Sequence, residues 1–504
     1  MKIKVLVLSL ICGVATALAF AKFNLLFLAW ISLIPLLYLL YRKPSKQAFF
    51  LSWMAGFGFY AVLIYWIPAV PAHYGGLSWS FSFFIYLLFT LFLGLFWGIF
   101  GWFFCRIKQA FPRSVWLLAP CLWVAHEFTT THFLTGFPWG LLGYSQSQNL
   151  YFLQTASVLG VYGLSFVLVL FQCGFLYAMI FKQRTPFFLA LALVLVLHVV
   201  GYLGLQEVTP TSESFTGAVV QGNIPADTDF NRLPQTEFDA LFQRHLDLSR
   251  QAHTQDARFI VWAELSVPLC FSCDYGIYPF YIERLSEFVQ ETQSTLLLGT
   301  NEIAREQEQT FYYNTAACLG PDLSPTFYHK MHLVPFGEYT PYKKIFFFIA
   351  NFTHAIGELT PGTDYVLHRF QDLPFAAPIC YEIIFPDIVR NFVRNGSRFL
   401  VTITNDAWYG TSSAPHQHFA IAVLRAVENR RFLLRSATTG VSGIIDPYGR
   451  ILTRSQLHTA GVFMGTITPS AHLSWYSRFG YRGTHLCLTL SVLFFILALV
   501  RKRP

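Results

Sequence analysis

A chain of 504 residues that is 54% hydrophobic and only 12% charged lacks the composition of a water-soluble globular protein, which carries about 25% charged residues. Its net charge of +8 is not a nucleic-acid signature, because no run of basic residues interleaves with aromatics as a phosphate-tracking surface would. Nine scattered cysteines are too few for a disulfide framework.

Apolar runs of the length needed to cross a bilayer, roughly 17–25 residues, occur at about 5–21, 23–41, 48–67, 81–105, 114–130, 153–181, 185–205 and 485–500. The fifth is the weakest, since Pro120, His126 and Glu127 interrupt it. The first also fits a secretory signal peptide, with Lys2 and Lys4 ahead of an apolar core and small residues near Ala21. Lys2, Lys4, Arg42, Lys43, Lys46, Arg106, Lys108, Arg113, Lys182, Arg184, Arg501, Lys502 and Arg503 fall on one set of alternate loops, and the opposite short loops carry only Lys22. Positive charge at span ends marks the cytoplasmic side, so both termini are expected there and eight spans close the count. The expected fold is a polytopic α-helical membrane protein. Residues 1–205 form a seven-span bundle, 206–478 an extracytoplasmic α/β domain, and 479–504 a last span with a basic cytoplasmic tail.

Within 206–478 short β-branched or apolar runs alternate with amphipathic ones. "FTGAVVQGN", "RFIVWAE", "STLLLGT", "FYYNTAACL", "TFYHK", "PFAAPICYE", "RFLVTITND", "SATTGVSGIID" and "GVFMGTI" read as strands. Helical spacing runs over 235–253, 277–291, 385–394 and 415–434, which suggests a layered α/β domain. Cys270 and Cys273 in "CFSC" lack the second ligand pair a metal site needs and leave a local disulfide open.

Three residues stand at strand ends: Glu264 after "FIVWA", Lys330 after "TFYH" and Cys380 after "PFAAPI". Singly they read as a surface carboxylate, a solvated lysine and a packed thiol. Together they fit another chemistry. A cysteine attacks as thiolate, and its ordinary pKa lies near 8.5. A carboxylate can take its proton, and an ammonium can lower its pKa and neutralise the oxyanion of an attacked acyl carbonyl.

Strand–Glu, strand–Lys and strand–Cys in that order resemble the nitrilase superfamily, as do "VQGNIP" (220–225), "YHKMHLVPFGEYTP" (328–341), "CYE" (380–382) and "NDAWYG" (405–410). With seven spans before that domain, one after it and "TGFPWGLLGYSQ" at 135–146, the whole chain resembles the membrane-embedded apolipoprotein N-acyltransferase family. The resemblance implies an α-β-β-α sandwich with Cys380 as nucleophile, Glu264 as general base and Lys330 stabilising the charged intermediate. It implies supporting roles for Glu338, Glu382, Tyr381 and Asn314. Trp139 and Phe137 are expected at the membrane surface, where aromatics collect, in a loop that would border the lipid entrance. Where the family carries "WPE" this chain has "WAE" (262–264), and where it carries a Lys-Trp pair on a lid this chain has Asp229 and Phe230. Phe230 is expected to supply apolar cover there.

The activity so implied is acyl transfer from a phospholipid, phosphatidylethanolamine, through a Cys380 thioester to the N-terminal cysteine amine of a diacylglyceryl apolipoprotein. It needs no metal or organic cofactor and no nucleic acid, and is expected of a monomer in the bacterial inner membrane with its catalytic domain periplasmic. The alternatives are a membrane-tethered amidase or nitrile hydrolase acting on a small substrate, and a transporter with a ligand-binding outer domain. Few polar residues occupy the spans to favour the transporter; His126, Glu127 and His198 are the main ones.

Overall fold

The computed structural model describes residues 2–205, 207–225, 228, 230, 232–273, 276–306, 309–342 and 358–501. Asp229, Lys502, Arg503 and the expected domain boundary at 206 lie outside the described residues. The chain divides into two compact units: Met1–Ala69 with Ser78–Gln206 and Ser474–Pro504, and Val70–Leu77 with Glu207–Leu473.

The first unit is helical. Its main helices are Ile3–Ala17, Ile34–Arg42, Ser45–Leu63, Trp79–Ala110, Val115–His132, Ala156–Phe181, Thr185–Leu203 and Arg482–Val500. Among the described residues, four are long and apolar enough to cross a bilayer: Trp79–Ala110, Ala156–Phe181, Thr185–Leu203 and Arg482–Val500. The span expected at 23–41 is not one α-helix. Leu26–Trp30 is a 3-10 turn, and a new helix starts at Ile34, with Pro35 in its first turn, where a missing N–H costs nothing. The Leu33 N–H just before it donates to Gln172 Oε1 at 2.8 Å. The weak span around 114–130 is a continuous helix through Pro120, His126 and Glu127. Glu127 has a reason to be there: its Oε1 accepts from Trp123 Nε1 at 2.9 Å and from the Leu142 N–H at 2.7 Å. Leu142 opens the 3-10 segment Leu142–Gln146, whose Gly143 N–H donates to Ser165 Oγ at 2.9 Å. Non-helical backbone inside a bundle is tolerated only when its polar groups are met in this way.

Among the described residues the second unit holds twelve strands: β1 Phe215–Gln221, β2 Phe259–Trp262, β3 Thr295–Glu306, β4 Gln309–Leu319, β5 Thr326–His329, β6 His368–Phe370, β7 Leu373–Ala376, β8 Phe399–Thr404, β9 Leu433–Ala437, β10 Gly443–Ile445, β11 Ile451–Arg454 and β12 Gly461–Ile467. They form two six-stranded sheets, ordered β12-β1-β2-β3-β4-β5 and β11-β10-β9-β8-β7-β6. The sheets pack face to face through aromatic rings. Phe215 lies 4.5 Å from Phe370 and 5.2 Å from Phe399, and Phe259 lies 5.0 Å from Phe375, centroid to centroid. Helices Gln235–Thr254 and Tyr278–Thr292 cover the outer face of the first sheet, burying Phe242, Leu246, Tyr281 and Phe288 against Val220, Ile260 and Leu298. Helices Pro386–Arg394 and Ala414–Asn429 belong to the second sheet's side. Strands covered on both faces are buried throughout, as β2, β8 and β9 are, and buried polar side chains on them such as Thr404 and Arg435 are hydrogen-bonded.

Most expected strand positions hold, but "SATTGVSGIID" (436–446) is not one strand: it holds the end of β9 and, after a bend, β10; the helix expected over 415–434 ends at Asn429. Arg430 takes a left-handed φ of 52°, and the apolar residues that follow belong to β9. Cys270 and Cys273 are joined as a disulfide, with their Cα atoms 5.3 Å apart.

Candidate active site

Each of the three strand-end residues is delivered by its own local geometry. Glu264 lies two residues past β2, where its backbone passes against Gly299 of β3. A Cβ at 299 would come within 2.5 Å of the Glu264 Cα, so a glycine is required for this approach. Lys330 directly follows β5, and its N–H donates to the Asn314 carbonyl of β4 at 2.8 Å. Beyond β7, Ile379 bridges Ile403 of β8, and Cys380 then turns into the 3-10 helix Cys380–Ile384 with φ of 50°. A left-handed cysteine is a strained residue, costing about 1–3 kcal/mol, of the kind retained where a side chain must be presented at a bend.

The side chains converge. Lys330 Nζ is 2.8 Å from Glu338 Oε1 and 3.5 Å from Glu264 Oε1, and the lysine is 1% exposed. Asn314 Nδ2 donates to both carboxylates, at 2.8 Å to Glu264 Oε1 and 2.9 Å to Glu338 Oε1. Glu264 Oε2 accepts from the Asn405 N–H at 2.7 Å. Glu338 is aimed inward because its loop closes on it, with the Val334 N–H donating to its Oε2 at 2.7 Å. Glu382 is fully buried and works on the backbone. Its Oε1 accepts from the Tyr328 hydroxyl at 2.7 Å and from the N–H groups of Met331 and His332 at 2.8 and 3.0 Å, and its Oε2 accepts from the Ile379 N–H at 2.7 Å. One carboxylate thus ties the segment after Lys330 to the residue before Cys380. Burial pushes its pKa up, against those donors.

Electrostatically, two carboxylates share one ammonium beside a thiol. Burial first, then the Glu264 carboxylate, push the Cys380 thiol well up, and Lys330 pulls the other way. Burial alone would lower Lys330, but Glu338, Glu264 and Cys380 outweigh it and hold the ammonium above its ordinary range. The arrangement therefore rests as a neutral thiol beside a carboxylate and a permanent cation. A thiol, a carboxylate and an ammonium held together are the groups that proton transfer and oxyanion stabilisation require.

Tyr381 is buried and packs on His332 and Phe385, at 5.8 and 5.2 Å between centroids. The remaining expected residues are not brought into this group. Phe230 is half-buried on the apolar core under the first sheet, its ring 6.4 Å from that of Phe238. Phe230→Ala is expected to lower the unit's stability by about 1 kcal/mol, half the value of a full Phe burial, and to leave single-turnover chemistry per folded molecule unchanged. Thermal melting set against the acylation rate checks this, and a rate loss at unchanged melting would instead support the lid role. Trp139, expected at a membrane surface, is 2% exposed inside the helical unit, 5.2 Å from Trp66 and stacked at 6.2 Å with Phe137. Sequence reasoning missed Thr404, Asp406, His418 and Arg435, all buried and bonded to one another beside Cys380. For Thr404 and Asp406 the signal was the strand end "TITND" leading into the quoted "NDAWYG"; His418 and Arg435 lie outside that stretch.

Comparison with known proteins gives the family of the chain. Residues 217–476 match the family model of the carbon-nitrogen hydrolases, the class that a two-sheet α/β unit with a cysteine at a strand end defines. Residues 12–174 match the model of the apolipoprotein N-acyltransferase N-terminal domain. Apolipoprotein N-acyltransferase of Geobacter metallireducens is 34% identical, across 98% of this chain and 95% of that relative, and the Vibrio cholerae protein of the same name is 32% identical, across 95% and 94%. Saccharomyces cerevisiae Nit3, of the nitrilase superfamily, aligns at 17% identity and a TM-score of 0.40, over 55% of this chain and 98% of its own. The chain belongs to the apolipoprotein N-acyltransferase family.

Proposed function

We propose that this chain transfers an acyl chain from a phospholipid, phosphatidylethanolamine, to the N-terminal cysteine α-amino group of a diacylglyceryl apolipoprotein, completing lipoprotein maturation. The observation that carries this reading is the buried Lys330 ammonium bonded between Glu264 and Glu338 beside a left-handed Cys380, in a chain similar from end to end to enzymes of that name. In the first half-reaction Glu264 takes the Cys380 proton while sulfur attacks the lipid ester carbonyl. A C–S bond forms, the C–O bond breaks, and the proton returns to the departing lysophospholipid oxygen. In the second, the peptide amine attacks the thioester, a C–N bond replaces C–S, and Glu264 receives the amine proton that the thiolate recovers. Lys330 faces the oxyanion in both, and Glu338 and Asn314 hold Lys330 and Glu264 in place.

Both substrates are anchored in a bilayer by acyl chains, which fits an enzyme with eight spans, residues 206–478 outside the cytoplasm and one copy per active unit. A reporter fused after Arg184 is expected to read cytoplasmic and one near Glu213 external, since thirteen basic residues fall on one side and one on the other. A cytoplasmic reading at Glu213 would remove the lipoprotein substrate.

The activity test supplies the purified chain with phosphatidylethanolamine in micelles and a synthetic diacylglyceryl-cysteine peptide. The expected result is a gain of one acyl mass on the peptide, abolished when its α-amino group is acetylated in advance. Release of free fatty acid or hydrolysis of small amides, with the peptide unchanged, would instead indicate the tethered hydrolase.

A further inference from the structure

Behind Cys380 lies a second polar cluster that the chemistry above does not use. Thr404, the last residue of β8, places Oγ1 3.2 Å from the Cys380 sulfur and 3.0 Å from Asp406 Oδ1. Arg435 of β9 donates from Nη2 to Asp406 Oδ2 at 2.8 Å, and His418 Nδ1 lies 3.0 Å from Asp406 Oδ1. The other ring nitrogen of His418, Nε2, lies 3.2 Å from the carbonyl oxygen of Cys380 itself. Thr404, Asp406, His418 and Arg435 are all 0% exposed. The cluster therefore holds Cys380 at two points, its sulfur and its strained peptide.

We propose that the Thr404 hydroxyl is a catalytic hydrogen-bond donor to the Cys380 thiolate, and that Asp406, His418 and Arg435 are positioning residues that aim it. The proposal rests on Cys380 being the nucleophile. A hydroxyl has one hydrogen, and here it stands between two acceptors. While the sulfur is a neutral thiol, the Asp406 carboxylate is the stronger acceptor and takes that hydrogen. When Glu264 removes the thiol proton, the sulfur of the buried Cys380 becomes an anion, and Lys330 already holds Glu338 at 2.8 Å. Asp406 keeps Arg435 as a charged donor when the hydroxyl turns away, so the hydrogen is free to swing to sulfur. Arg435, with His418, also outweighs burial and holds Asp406 well below the usual carboxylate range, so the post stays anionic while sulfur titrates.

The test is the pH profile of Cys380 alkylation by iodoacetamide in the full-length protein in detergent, alongside the rate of acyl loading from phosphatidylethanolamine. The groups that bear on the sulfur are Glu264 after β2, Lys330 after β5, Asp406 and Tyr409 after β8, and Tyr381 in its own turn, with Glu338, Glu382, His418 and Arg435 behind them; all are kept native. Thr404→Val preserves shape and removes the donor, and Thr404→Ser keeps the donor. The valine variant is expected to move the alkylation midpoint up by about one pH unit and slow loading at least roughly tenfold, with serine restoring both to within about threefold. Thr404→Ala gives the same reading if the valine variant does not fold. A valine or alanine profile that coincides with wild type, or a serine variant shifted as far as valine, would overturn the proposal. Wild-type protein that never loads an acyl group on Cys380 would overturn the reading beneath it, and this shows before any Thr404 variant is made.

Discussion

Lys330→Ala is expected to abolish acyl loading and to lower the stability of the α/β unit by about 3–5 kcal/mol, the cost of leaving buried ion-pair partners unmatched. The lysine is 1% exposed and is the cation that both Glu264 and Glu338 contact. Without it two carboxylates remain together, bridged by the Asn314 amide. Because the folded pKa of Lys330 is raised, its contribution to stability is fully present below the unfolded lysine value near 10.4 and is lost only as pH rises through the higher folded value. Denaturant melts of wild type at pH 6 and pH 8 should therefore both retain the full Lys330 contribution. A variant that loads at the wild-type rate would remove Lys330 from the chemistry.

Glu264→Gln keeps the volume of the side chain and removes the base. Loading per folded molecule is expected to fall by about 10²–10⁴-fold, the range that general-base catalysis supplies. Stability should fall less than for Lys330→Ala. The glutamine oxygen still accepts one donor, but its amide must face either Asn314 Nδ2 or the Asn405 N–H, a mismatch worth about 1–3 kcal/mol. Single-turnover acylation beside a denaturant melt separates the two effects. Normal loading in Glu264→Gln would mean that another group takes the thiol proton.

How much of this was legible depended on whether a residue's neighbours in sequence were also its neighbours in space. β2 could be read because a strand buried on both faces can be a continuous apolar run, and β1 and β8 because β-branched and apolar residues dominate them. β6 and β11 are short edge strands that carry charges, Arg369 and Arg454, and have no such pattern. The end of helix Ala414–Asn429 was missed although the polar run "ENRR" (428–431) stands before β9; the chain breaks there at the left-handed Arg430. Glu264, Lys330 and Cys380 stood out as polar residues at strand ends. Glu382 could equally have been a helix cap; its bonds to the 331–332 backbone arise from a loop 50 residues away. Asp406, His418 and Arg435 each read singly as ordinary turn, helix and strand residues, and only the pairing of β8 with β9 and the packing of the helix against them make a cluster. The Glu127 carboxylate looked like a flaw in a span until its bond to the Leu142 N–H gave it a task.

The central claim is a thioester on Cys380. It is tested most directly by incubating the chain with phosphatidylethanolamine of one defined acyl length, without peptide acceptor, and weighing its fragments. The expected result is one acyl mass confined to the fragment containing Cys380, released by neutral hydroxylamine and absent from Cys380→Ala. An acyl mass on any other residue, or equal loading of Cys380→Ala, would contradict it.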